Sequence, residues 1–347
     1  MKPLTIIPAY LTDAGDATLL ERCLRSIRST EEDATDILVV DDCSPGRDLV
    51  DEIERLEEEL SFELHRKPEN SGFAKTVNLG LRRCLDEGRD AVLLNADVEL
   101  IDPGWLDGLR SQPRLGGQGE ASVVGGLLLY PDGSIQHAGI YLSKLSSRPG
   151  RPWFAHMWRG APGDLPEAGL VRVCPVTGAL MFIRLECLRS VGLLDESFPM
   201  GSEDVDYCLR VLREGRECIY QPKVRAYHEH GAFVDRRAPK GSPWANRSLE
   251  RLWEKHGAEP LDRVVPFGDH LEGAVAVEQV HKLRRALKAN RKQVKTLTRE
   301  NEKLERTREK LTARTRGAAP SSTTPGQLVR ARARGLIESL LSKRRTR

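Results

Sequence analysis

"DILVVDDCSPGRDLVDEIERLEEELSFELHR", residues 36–66, decides the fold. Residues 36–40 are an apolar, β-branched run that ends in Asp41-Asp42. Residues 47–60 read as a helix, and the FELHR that follows reads as a strand. Strand, helix, strand in so short a span is the unit that builds a parallel sheet. Working outward, "LTIIPAY" (4–10) is a short apolar run. Residues 17–29 form a helical pattern with Leu19, Leu20, Cys23, Leu24 and Ile27 inward. On the other side, "GFAKTVNLGLRRCLDEG" (72–88) is a helix ending at Gly88, and "DAVLLNAD" (90–97) is a strand. The alternation β-α-β-α-β-α-β predicts an α/β fold, a doubly wound, mostly parallel sheet with helices on both faces. Ligands of such sheets bind beyond the carboxyl ends of the strands. Polar residues gather at those ends: Pro8-Ala9-Tyr10, Asp41-Asp42 and Asn95-Ala96-Asp97.

After Trp105 the pattern changes. "SVVGGLLLYPDGSIQHAG" (122–139) reads as a hairpin turned by Asp132-Gly133. Residues 143–170, rich in Gly, Pro and Trp, read as a long functional loop. "VTGALMFIRLECLRSVG" (176–192) is a strand followed by a helix. In "FPMGSEDVDYCLRVLREG" (198–215), Val205, Cys208, Leu209 and Leu212 recur at helical spacing, with Ser202 as the expected N-cap. Glu203, Asp204 and Asp206 crowd the first turn, where the helix dipole alone would favour acids.

The composition fits a folded chain without a membrane span: 39% hydrophobic, 30% charged, and no apolar run of about 18 residues. The start, "MKPLTIIPAY", is too short and too Pro-broken for a signal peptide. Seven scattered cysteines without a C-x-x-C pair point to a reducing cytoplasm, and away from a disulfide framework or a structural zinc site. The net charge of +3 hides a split, −13 before His281 and +16 from there to the end. An acidic body therefore carries a basic tail, which seeks anionic membrane or polyanion, or stays solvated.

From Val280 a heptad seam runs through Leu283, Leu287, Asn290, Val294, Leu297, Asn301, Leu304, Arg308 and Leu311. It predicts a self-associating coiled coil over 275–314, against the alternative of a solvated single helix. Residues 315–327 are a linker. Residues 328–347 place Val329, Ala333, Leu336, Ile337, Leu340 and Leu341 on one helical face and basic residues on the other. That suits either peripheral membrane contact or docking onto protein. The tail lacks aromatic interleaving, so nucleic acid is not favoured. The globular part is expected over 1–270, divided near residue 105.

A carboxylate at the end of a buried strand, like Asp97, can hold Mg²⁺ or Mn²⁺, and an Asp like Asp41 or Asp42 can accept from a nucleoside. Each equally caps the helix that follows. The segments taken together say more. "VVDDCSPG", "NSGFAKTVNLGL", "LLNADVELIDPGWL", "GLLLYPDGSIQHAG", "VTGALMFIR", "VGLLDESFPMGSEDVDYCLRVLREG" and "QPKVRAYHEHG" occur in this order. The set resembles the inverting nucleotide-sugar glycosyltransferases of family 2, with a GT-A fold, over about residues 1–235. The resemblance is close to the bacterial members that build cell-surface polysaccharides, including rhamnosyltransferase-like enzymes.

The resemblance implies roles. Asp42 would bind the donor's nucleoside, near Pro8. Asn70, Lys75 and Asn78 would belong to the segment beside the donor pocket. Asp97 would be the final acid of the metal-binding DXD element, whose first carboxylate is here Asn95. Asp204 would be the catalytic base, beside Glu203. His228, with His230 as competitor, would reach the metal or diphosphate. A divalent cofactor, Mg²⁺ or Mn²⁺, a UDP- or dTDP-sugar donor and a glycan or lipid-linked acceptor follow, with cytoplasmic placement at the inner face of the plasma membrane. Glu203 and Asp206 should push the Asp204 pKa upward. Trp153 and Trp158 would either stack on acceptor or seal the core, and Gly178 would admit ligand or serve packing. Two rivals are an inactive GT-A-like scaffold assembling through the coiled coil, which Asn95 suggests, and a nucleotidyltransferase, for which no Gly-rich triphosphate loop is present.

Overall fold

The computed structural model describes residues 1–31, 34–115, 118–143, 153–169, 172–198, 201–229, 243–257, 296–300, 303 and 307. By internal contacts the chain divides into Met1–Lys282 and Leu283–Arg347. In the second unit the described residues are helical. Most of the heptad seam, and all of 315–327 and 328–347, lie outside the described residues.

The first unit opens with β1 (Leu4–Ala9), α1 (Ala14–Thr30), β2 (Asp36–Asp41), α2 (Arg47–Leu60), β3 (Glu63–Arg66), α3 (Phe73–Glu87) and β4 (Ala91–Leu94). This is the alternation the sequence predicts. Strands β3, β2, β1 and β4 lie side by side and all parallel, with Ala9 opposite Asp41 and Ile6 opposite Leu93. The order reverses between β2 and β4, on either side of β1. That is the switch point where parallel sheets leave a crevice.

Then follow β5 (Val98–Leu100), α4 (Trp105–Arg110), β6 (Val123–Leu129), β7 (Ile135–His137), β8 (Ile140–Ser143), β9 (Trp153–His156), β10 (Arg172–Val173), β11 (Leu180–Ile183), α5 (Leu185–Val191), α6 (Glu203–Arg213), β12 (Cys218–His228) and α7 (Pro243–His256). Here the expectation of a mostly parallel sheet needs correction. β11 runs antiparallel to both β4 and β6, and β5 and β10 run antiparallel to β12; only β6 and β12 are parallel. Strand direction depends on pairing over long sequence distances, which residue periodicity does not report.

The central strands β4, β6 and β11 are buried along their whole length, so their sequences are unbroken apolar runs. One face packs α1, α2 and α4 through Leu20, Leu24, Ile53 and Leu109. The other packs α3, α5 and α6 through Val77, Leu81, Leu188 and Cys208. Helix α3 sits close because Gly80 is opposite β1: a Cβ there would lie 2.6 Å from Ile6. The expected hairpin is present as β6 and β7, turned at Gly133. The expected long loop is shorter, because β9 pairs with β8. Trp158 is buried in the core under it, so it seals packing and is not offered to ligand. The side chain of Trp153 lies outside the described residues. All seven cysteines are free, and no helix among the described residues is long and apolar enough to cross a membrane.

Candidate active site

The ends of β1, β2 and β4 carry Pro8, Asp41-Asp42 and Asn95-Ala96-Asp97 to one edge of the sheet. Asp42 is buried and held by the loop entering α3. Its Oδ1 accepts from Lys67 Nζ at 2.5 Å and from the Ser71 amide at 2.9 Å, and its Oδ2 accepts from the Gly72 amide at 3.0 Å. Lys67, itself buried, also reaches Thr76 Oγ1 at 3.0 Å. Asp41 braces the floor. Its Oδ1 accepts from the Ser44 amide at 2.9 Å, and Ser44 Oγ in turn accepts from the Leu11 amide at 2.8 Å, tying the exits of β1 and β2 together. Pro8 is half-buried between these ends.

Asn70 and Lys75 are exposed at the start of α3. Asn78 is fully buried and faces another way: its Nδ2 donates to the Leu194 carbonyl at 3.0 Å and to Glu196 Oε1 at 2.9 Å, and its Oδ1 accepts from the Leu194 amide at 3.0 Å. Its direct contacts are therefore with the 194–196 segment.

Asp97 is buried, and its carbonyl accepts from the Glu229 amide at 3.1 Å, which brings the end of β12 to the DXD-like element. His228 Nε2 lies 3.1 Å from Asp97 Oδ1. Asp97 Oδ1 and Asn95 Oδ1 are both buried oxygens without a hydrogen-bond partner. A carboxylate oxygen left bare beside an imidazole nitrogen is a donor set that fits a divalent cation; the oxygen suits Mg²⁺ or Mn²⁺, and the imidazole favours a transition ion. Among the described residues no three His, Cys, Asp or Glu side chains converge as a complete ligand set. His230 lies outside the described residues.

Asp204 stands on the first turn of α6. The Gly178 amide donates to its Oδ2 at 2.9 Å, and the Val205 amide to its Oδ1 at 2.8 Å. The neighbouring Asn95 amide donates to the Ala179 carbonyl at 3.0 Å. One short stretch, Gly178-Ala179, thus touches the Asn95 backbone on one side and the Asp204 carboxylate on the other. A Cβ on Gly178 would meet only ordinary contacts, at 3.4 Å from Asp204 and 3.6 Å from Phe73. The internal packing does not require glycine there.

Ser202 is not the expected side-chain cap. It follows Gly201, both in the left-handed region with φ of 72° and 74°, and makes no capping bond; its carbonyl takes the Asp206 amide at 2.9 Å. The three acids also divide differently from expectation. Asp206 is fully buried, and against that burial a hydrogen bond with His256 Nε2 at 2.7 Å, then Lys255 Nζ at 2.8 Å and Arg210 Nε at 2.9 Å, lower its pKa and pin α7 to α6. Burial raises the Asp204 pKa, against the hydrogen bonds from Gly178, Val205 and Thr177. Burial, and next the Asp204 charge, push Glu203 up to about 8. Glu203 Oε2 is buried without a hydrogen-bond partner. Of the pair, Asp204 has the donors that hold a carboxylate, and Glu203 is the acid that keeps its proton near neutrality.

Two family models match the chain. Residues 5–111 match "Glycosyl transferase family 2" and residues 168–245 match "Glycosyltransferase like family 2", together more than half of the chain. The chain belongs to glycosyltransferase family 2. This family-2 chain is 31% identical over 179 residues to the O-antigen biosynthesis protein RfbC of Myxococcus xanthus, covering 48% of the chain but only 13% of that protein. It is 24% identical over 259 residues to an N-acetylglucosaminyl-diphospho-decaprenol L-rhamnosyltransferase of Mycobacterium tuberculosis, covering 67% of the chain and 79% of the relative. The fold is that of GT-A enzymes: the crystal structure of GalNAc-T7 with UDP, GalNAc and Mn²⁺ superposes with a TM-score of 0.53 at 16% identity, over 81% of this chain and 54% of that one.

Lys67, Thr177 and Gln136 escaped the reading of the sequence. Lys67 could have been found from its place one residue past β3, at the same strand edge as Asp42. Thr177 and Gln136 stood inside motifs already singled out, but nothing in their spacing signals a partner.

Proposed function

We propose that this family-2 protein is an inverting glycosyltransferase that moves a sugar from a UDP- or dTDP-sugar to a cell-surface glycan or lipid-linked acceptor. The observation that carries the reading is a pair of hydrogen bonds: the Gly178 amide donates to Asp204, and the Ala179 carbonyl accepts from the Asn95 amide. It supports a base and a DXD-like element on one rim, because the Asp204 carboxylate and the Asn95 backbone meet the same short stretch of chain. The Myxococcus and Mycobacterium relatives, an O-antigen biosynthesis protein and an L-rhamnosyltransferase, support the substrate class.

In this reading Asp42, immobilised by Lys67 and two amides, presents its remaining lone pairs to the nucleoside. A divalent cation held by Asp97 and His228 would supply positive charge beside the diphosphate. Asp204 takes the proton of the acceptor hydroxyl as its oxygen attacks the anomeric carbon. The bond from that carbon to the diphosphate breaks on the opposite face, so the configuration inverts. Glu203, neutral at pH 7, leaves Asp204 to carry the charge a base needs.

The reading is tested by thermal shift with UDP, dTDP and GDP, each with Mn²⁺ or Mg²⁺. A diphosphate at a hundredfold excess over Kd stabilises the folded state by about 2.7 kcal/mol. At least one should raise Tm in the wild type, and Asp97→Asn should abolish the metal-dependent part. No shift with any of them would contradict the proposal.

A further inference from the structure

Gln136 lies in the "GSIQHAG" motif, to which the reaction as drawn assigns no part. It sits on β7, buried, and puts both ends of its amide on one residue, His228. Gln136 Nε2 donates to the His228 backbone carbonyl at 3.0 Å. A carbonyl oxygen only accepts, so the amide orientation is fixed: the nitrogen must be at that end and the oxygen at the other. The other end meets His228 Nδ1. An amide oxygen also only accepts, so Nδ1 must carry a hydrogen. In the neutral imidazole the lone pair is then on Nε2, the nitrogen 3.1 Å from Asp97 Oδ1. The Gln136 contact thus turns Nε2, not Nδ1, toward the Asp97 carboxylate, where a cation between the two would find a ligand on each side.

We infer that Gln136 is a positioning residue that fixes the tautomer and ring orientation of His228, so that Nε2 is presented beside Asp97 as a metal ligand. The inference rests on the proposed role of Asp97 and His228 as ligands. The surroundings hold the clamp in place. Gly139, with φ of 94°, turns the chain after β7 where a Cβ would lie 2.5 Å from Cys174 Sγ. Next to Gln136, the His137 Nε2 accepts from the Gly139 amide at 3.3 Å, so its Nδ1 donates to His156 Nδ1 at 2.8 Å. β7 is thereby anchored on both sides of the turn. A glutamine needed only for packing would have no reason to hold both the carbonyl and the ring of the same histidine.

The test uses the full chain, ¹⁵N-labelled at histidine, and two readouts. The first is the His228 tautomer without metal, from long-range ¹H–¹⁵N correlations assigned by signal loss in His228→Asn. The second is Mn²⁺ affinity with UDP present, from electron paramagnetic resonance of free Mn²⁺, in wild type, Gln136→Met and His228→Ala. At a pH where the ring is neutral, the wild type should carry its hydrogen on Nδ1. Gln136→Met should move hydrogen toward Nε2 and weaken Mn²⁺ binding by about 10- to 100-fold, the usual effect of losing an outer partner of a ligand. A neutral wild-type His228 with its hydrogen on Nε2 overturns the inference, even if Gln136→Met does not fold. So does unchanged Mn²⁺ affinity in Gln136→Met when His228→Ala has lost it, which would leave the ligand assignment standing. Unchanged affinity in His228→Ala would instead remove the ligand assignment itself.

Discussion

Glu203 and Asp204 are neighbours in sequence with opposite needs, and the contrast can be measured. Glu203 titrates at about 8 in the folded protein against 4.5 as its ordinary value. Its raised pKa means that the folded state holds a proton the unfolded state gives up, so stability falls as pH rises from about 4.5 to about 8 and then levels. Glu203→Gln removes that dependence. Its Tm should pull ahead of the wild type across this window, each pKa unit being worth about 1.4 kcal/mol; parallel Tm curves would refute the assignment. The same variant should keep most activity at pH 7 and leave the acidic limb of its kcat/KM profile in place, because glutamine copies the protonated acid, which carries no charge where Asp204 titrates. At this scale the sequence spoke through motif order: His228 reaches Asp97, and Gly178-Ala179 meets both the Asp204 carboxylate and the Asn95 backbone. It was silent on Lys67 and Gln136, whose partners are set by folding, and it misled at Ser202, whose left-handed backbone no local pattern announced.

Elements were the most legible scale where periodicity decides. All seven of the first strands and helices fall where alternation puts them, and Gly88 ends α3 with φ of 70° as a C-terminal glycine does. The second half was read as elements but not as a sheet, because β11 and β12 find their neighbours across long stretches of chain. Two contacts that seat α3 can be tried directly. Gly80→Ala places a methyl group into Ile6 and should destabilise by about 1–3 kcal/mol in urea denaturation. Asn78→Ala strands the buried Leu194 amide and carbonyl and should cost about 1–3 kcal/mol. It should also raise the KM for donor while sparing kcat, if the 194–196 segment shapes the pocket. Wild-type stability in either variant would mean that α3 is held otherwise.

For the whole molecule, charge is split between an acidic body, −13 before His281, and a basic tail, +16 from there on. Contacts separate Met1–Lys282 from the remainder, so a chain ending at Lys282 should fold with Tm within roughly 2 °C of the full length, the change expected when few stabilising contacts are lost. The heptad seam predicts that the full chain sediments as a dimer or larger and the shortened one as a monomer. Equal masses for the two would remove the coiled coil from the account. The shortened chain should also lose binding to vesicles containing anionic lipid if the tail is a membrane anchor, since paired helices gain from effective concentration.

The account stands on Asp204 acting as base at a cleft shared with Asp97. It is tested most directly by single-turnover release of nucleoside diphosphate from the nucleotide-sugar identified by thermal shift, with acceptor and Mn²⁺ present, in wild type and Asp204→Asn. The account predicts a rate lower by about 10²- to 10⁴-fold in the variant with donor affinity unchanged; release at the wild-type rate by Asp204→Asn would contradict it.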